Sequence, residues 1–168
     1  MNPRNVGVAA EALVAAQFAR LGFDVSVQYG ANQPEYDLVV VKDDQAVKIS
    51  VKGSQDGAWG LAQTQLAKLR NANYHGAIDE WLGKHGMKTI FCFVQFQHCT
   101  SDQMPRMYLA TPSEVASQLR ASCGGRGDTM LREKHQWTSR SKTAAGQTEE
   151  IPASWKFSEA KVQSLFTK

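Results

Sequence analysis

Pro34-Glu35-Tyr36-Asp37-Leu38-Val39-Val40-Val41-Lys42-Asp43-Asp44-Gln45-Ala46-Val47-Lys48-Ile49-Ser50-Val51-Lys52-Gly53-Ser54 is the stretch on which the fold turns. Two runs rich in β-branched residues, 36–41 and 46–51, flank a polar break at 42–45. Valine and isoleucine suit a pleated, half-buried surface, so the pattern predicts a β-hairpin with its turn at 42–45. Alternation then sorts the side chains. Val47, Ile49 and Val51 point one way; Lys48, Ser50 and Lys52 point the other. Asp37 opens the first strand on the same face as Val39 and Val41, and Lys52 closes the second. An acid and an amine thus meet at one end of a sheet, as in a site.

Upstream, Asn2 followed by Pro3 reads as an N-cap and first helical residue, with Asn5 as the other candidate cap. The Ala-rich run 6–21 has no internal proline and stops at Gly22, which predicts a helix. Glu11 lies three, seven and ten positions before Val14, Phe18 and Leu21, in line with the apolar stripe. A carboxylate on that side is costly unless it is paired or binds a cation. The other reading puts it at the exposed edge, near the favourable N-terminal dipole. Residues 23–29 alternate as a strand and 30–35 read as a loop, giving the order α-β-β-β.

Downstream, 53–60 reads as a glycine-punctuated loop carrying Gln55, Asp56 and Trp59. Helices are predicted over 61–70 and 77–84. Residues 88–97 form the strongest apolar strand, hydrophobic on both faces and therefore interior. A short strand follows at 107–110. Thr111-Pro112-Ser113-Glu114 is a capping box for the next helix, which ends before Gly124-Gly125. Residues 124–150 are polar, with Arg132, Lys134 and Arg140 among the basic residues around His135 and Trp137. Cations interleaved with an aromatic fit a nucleic-acid groove; a solvated hairpin or loop fits equally. Trp59 is the aromatic best placed to stack on a base. A last helix spans about 158–167, capped by Ser158.

At 168 residues, with 42% hydrophobic and 21% charged side chains, the chain is expected to form one soluble domain, with a core over about 5–123. The formal charge of +3 tolerates a polyanionic partner without arguing for one. Cys92, Cys99 and Cys123 make no CxxC and read as reduced thiols of a cytoplasmic protein. The first residues show no apolar signal core, and no apolar run reaches the roughly 18 residues of a membrane helix. The four histidines show no HxxxH spacing, and neither a Walker loop nor GxSxG occurs.

Three pieces stand in order: Gly7-Val8-Ala9-Ala10-Glu11 (GxxAE) on the first helix, Asp37 opening the hairpin, then Ser50 and Lys52, followed by a helix and a strand. Residues 5–100 in this arrangement resemble the core of the PD-(D/E)XK nuclease superfamily. That group includes restriction endonucleases, Holliday-junction resolvases and some intron-encoded homing endonucleases. The resemblance implies an α/β fold with a central mixed sheet flanked by helices, and an α-β-β-β-α-β core. It implies Asp37 and Glu11 as ligands of Mg²⁺ or Mn²⁺, with the Val51 carbonyl as the backbone ligand and Lys52 at the attacking water. It also implies DNA as substrate, and by analogy alone a homodimer. One position departs: Ser50 stands where the family carries its second acid. A hydroxyl reaches a magnesium ion poorly. Glu11, Glu35 or Asp56 could substitute, the site could hold metal weakly, or the chain could be an inactive module that binds nucleic acid or a protein.

Overall fold

The computed structural model describes residues 1–28, 35–86 and 88–166. In chain order these form α1 (Pro3–Arg20), β1 (Asp24–Val27), β2 (Leu38–Lys42), β3 (Gln45–Ser54), β4 (Ala58–Gly60), α2 (Gln63–Leu66) and α3 (Tyr74–Leu82). There follow β5 (Thr89–Gln95), β6 (Arg106–Ala110), α4 (Pro112–Ala121), β7 (Met130–Arg132), β8 (Lys134–Gln136), β9 (Thr148–Glu150) and α5 (Glu159–Phe166). The chain divides into two compact units. The first comprises Met1–Asp56, Met87–Thr111 and Ala153–Lys168; the second comprises Gly57–Gly86 and Pro112–Pro152. Among the described residues, no helix is long and apolar enough to cross a membrane.

The first unit is built on a five-stranded sheet in the order β1-β2-β3-β5-β6. Only the β3–β5 pair is parallel, which makes the sheet mixed. The hairpin forms as the alternation predicts, with Leu38 opposite Ile49 and Val40 opposite Val47. Its turn is tighter than the four-residue break suggests. Lys42 pairs with Gln45, so Asp43 and Asp44 alone make the turn, at φ 49° and 61°. Positive φ at both central residues matches the right-handed twist of the strands, and aspartate is among the few residues that tolerate it.

One face of the sheet carries Leu38, Val40, Ile49, Val51, Ile90, Cys92, Val94 and Leu109, packed with Ala10, Val14 and Phe18 of α1 and Val162 of α5. The Phe18 ring stands edge-on to Phe23 and to Phe157, each with centroids 5.5 Å apart. Asn2 caps α1: its Oδ1 accepts the Asn5 N–H at 2.8 Å, and Pro3 takes the first turn. Every residue of β5 is buried, as an apolar interior strand requires. The β1 strand is shorter than the predicted 23–29; Tyr29 and most of the 30–35 loop lie outside the described residues.

The second unit departs further from expectation. The helix predicted over 61–70 is one turn, α2, followed by a 3-10 turn with Asn71 at φ 60°. Residues 58–60, read as loop, form β4 and pair antiparallel with β7 from the polar segment. That segment also supplies the β8–β9 hairpin, and it buries Asp128, Thr129, Leu131 and Ala144. The Glu149 carboxylate accepts the Ser122 hydroxyl and the Cys123 N–H, each at 2.6 Å, tying β9 to the end of α4.

Candidate active site

β3 runs past the start of β2, so among the described residues the edge of its last residues has no strand partner on that side. Asp37, just before β2, closes the gap. Its backbone N–H donates to the Ile49 carbonyl at 2.9 Å, and its Oδ2 accepts the Val51 N–H at 2.6 Å. In an extended strand the N–H and C=O of one residue face the same edge. The Val51 carbonyl therefore opens toward the side on which Asp37 stands. Ser50 and Lys52 flank Val51 on the opposite face of the strand from the core, as parity predicts. Lys52 is half-buried, whereas Ser50 is 1% exposed.

The third element is α1. Its buried stripe is Val6, Ala10, Val14 and Phe18, so Glu11 lies at the margin of the stripe and is half-buried. Burial raises the Glu11 carboxyl above its ordinary value; the Asp37 charge raises it further, and Lys52 pulls it back. Both effects of charge require proximity. Glu11, Asp37 and Lys52 therefore share one electrostatic neighbourhood.

Of the three acids that could stand in for the missing one, Glu11 is the one coupled to Asp37 and Lys52. Ser54 Oγ donates to Asp56 Oδ1 at 2.9 Å, turning that carboxylate toward its own strand. Glu35 is exposed. Among the described residues, no three His, Cys, Asp or Glu side chains cluster as a cation site. Two carboxylates and a backbone carbonyl nevertheless suit a hard ion that keeps several of its waters. The Glu11–Asp37 repulsion is the kind a divalent cation relieves. Oxygen donors of these types are ones that magnesium or manganese accepts.

Gln95 is a residue that sequence reasoning missed. It is fully buried on β5 beside Ser54, where its Nε2 donates to Ser54 Oγ at 3.2 Å and its Oε1 accepts the Gln97 N–H at 2.9 Å. The signal was available: a glutamine inside the apolar run 90–96.

The four residues expected to touch nucleic acid fare unevenly. Trp59 is 3% exposed and sits in β4 opposite Leu131, so it presents no face for a base to stack on. Arg132 is ion-paired to Asp128, and its guanidinium lies over the Trp137 ring, 5.1 Å from the centroid. Lys134 is paired with Glu150 at 2.5 Å on the surface. Arg140 is exposed.

The class defined by this architecture is a nuclease-like mixed α/β fold. A solved structure of the bacterial homing endonuclease I-Ssp6803I matches it with a TM-score of 0.52 at 12% identity, over 98% of this chain and 94% of that one. At that identity the likeness is one of fold. No family model and no curated protein matches the sequence.

Proposed function

We propose that this chain is a metal-dependent endonuclease of the PD-(D/E)XK kind that hydrolyses DNA phosphodiester bonds. The observation that carries the reading is the hydrogen bond by which Asp37 holds the Val51 N–H at the end of β3, with the charges of Asp37 and Lys52 both acting on Glu11. Asp37, Glu11 and the Val51 carbonyl would hold Mg²⁺ or Mn²⁺, which when bound supplies charge neutralisation at the phosphate and a more acidic water. Lys52 orients the attacking water through its ammonium N–H groups and adds positive charge where negative charge develops. Hydrolysis joins the water oxygen to phosphorus and breaks one P–O ester bond; the water gives up a proton and the leaving oxygen gains one. The three free cysteines agree with a reducing cytoplasm. DNA is the partner in this reading, and a second copy is included by family analogy alone.

A catalytically inactive module binding nucleic acid or a protein is the second reading. The buried hydroxyl of Ser50, in place of an acid, favours it. Incubation of duplex, branched and single-stranded DNA with Mg²⁺ or Mn²⁺ separates the two. The nuclease reading expects cleavage by the parent that is lost in Asp37→Asn and in Lys52→Ala, and manganese density between Glu11, Asp37 and the Val51 carbonyl in a soaked crystal. No cleavage of any substrate, with no metal-dependent rise in melting temperature, overturns it in favour of the module.

A further inference from the structure

Gly53 follows Lys52 in β3 at the point where α1 crosses the strand. A Cβ placed on it would stand 2.9 Å from Val6 Cγ1, 2.9 Å from the Val6 carbonyl oxygen and 3.0 Å from Ala10 Cβ. Non-bonded atoms do not tolerate such distances, and one of the three belongs to helix backbone, which has no rotamer to escape into. Gly53 is not among the residues with positive φ, so conformational freedom is not what the position uses. It uses the missing side chain to bring two backbones together.

The neighbours of this contact are the residues of the candidate site. Lys52 precedes Gly53 on the strand, and Glu11 follows Ala10 on the helix. We propose that Gly53 is a positioning residue: by letting α1 lie directly on β3, it sets the reach of Glu11 toward Asp37 and Lys52. This rests on the reading of Glu11 and Asp37 as metal ligands given above. An added methyl must lift the helix at Val6 and Ala10, and Glu11 is carried with it. Displacements of about 1 Å are enough to cost a positioned group about a hundredfold in function.

Gly53→Ala, Glu11→Gln and the double variant, made in the full chain, provide the test, with Mn²⁺ affinity read from the paramagnetic resonance of free Mn²⁺ well below melting. If Gly53 acts through Glu11, Gly53→Ala weakens Mn²⁺ binding by about tenfold or more, and the double variant binds no more weakly than Glu11→Gln alone. A folded Gly53→Ala that keeps the parent's affinity, or losses that simply add, overturns the proposal. Should Gly53→Ala fail to fold, Gly53→Ala/Ala10→Gly moves the methyl from helix to strand and is compared with and without Glu11→Gln in the same way. If the parent itself binds no Mn²⁺, the metal reading fails, and Gly53 is decided by repulsion instead. In chelator at about pH 8, the melting-temperature changes of Glu11→Gln and Asp37→Asn should not add, the double variant falling below the sum of the two single changes. That shortfall disappears in the Gly53→Ala background if Gly53 sets the spacing, and persists if it does not.

Discussion

The carboxylate of Asp37 accepts the backbone N–H of Val51 at 2.6 Å, across 14 residues of chain. It thereby finishes the edge of β3 where β2 has not yet begun. Asp37 consequently has two duties, an acceptor for the strand and a charge for the site. Asp37→Ala should leave the Val51 N–H without its acceptor and cost about 1–3 kcal/mol. Asp37→Asn keeps an acceptor oxygen and should cost clearly less, while abolishing cleavage as completely. Urea denaturation of the two variants checks the stability difference; equal losses would mean that the hydrogen bond does not support the strand.

Glu11 gives a pH dependence with a definite sign. Its carboxyl is raised above the ordinary 4.5, by burial first and by Asp37 second, with Lys52 opposing. The folded protein therefore holds this proton more tightly than the unfolded chain. Stability from this group is full below the ordinary value, falls as pH rises through the raised one, and stays low above it. Glu11→Gln, always neutral, should melt higher than the parent in chelator near pH 7, and the gap should close below about pH 4. Added Mn²⁺ should stabilise the parent and leave Glu11→Gln little changed. Melting curves across pH that run parallel would remove Glu11 from the site.

Ser50→Glu tests the missing acid. Ser50 is 1% exposed, so the new carboxylate meets burial as well as repulsion from Asp37. The variant should melt lower than the parent in chelator and recover more on adding metal. If a two-carboxylate site limits the parent, metal affinity and cleavage should both rise. Flat or reduced cleavage with an active parent would show that the site works without a second acid at this position.

Arg132 and Lys134 are occupied within their own hairpin region, by Asp128 and Glu150. Arg132→Ala strands a buried carboxylate and should cost about 1–3 kcal/mol of stability, whatever it does to DNA binding. Arg140 and Lys142 are exposed. If this face tracks a phosphate backbone, replacing both should reduce the slope of log affinity against log salt by about 2. Lys134→Ala should change that slope little. An unaltered slope in the Arg140/Lys142 variant would make the segment a bystander.

The central hairpin was legible because its valines and isoleucines alternate over a long run, and strand parity alone puts Ser50 and Lys52 on one face. The length of its turn was not, since Asp43-Asp44 lacks the glycine that usually marks a two-residue turn. Gly53 read as the start of a loop, although β3 continues to Ser54; a glycine that accommodates a helix from 43 residues upstream looks locally like punctuation. Trp59 was misplaced for a similar reason. Its strand is three residues long, and the partner strand β7 lies some 70 residues away, so no local pattern announces the pairing. Glu11 could be flagged by its helical phase, but only packing brings it near Asp37.

The two units interleave along the chain, which passes between them at 56/57, 86/87, 111/112 and 152/153. During synthesis, then, neither unit can be finished before the other is begun. The second closes when residue 152 is free, but the apolar face of the first still lacks Val162 and Phe157. For that interval α1 and the sheet expose the surface that α5 later covers, a state prone to misassociation. A stop at residue 152 should therefore yield an aggregating product rather than a smaller folded one, and supplying residues 153–168 in trans should suppress that aggregation.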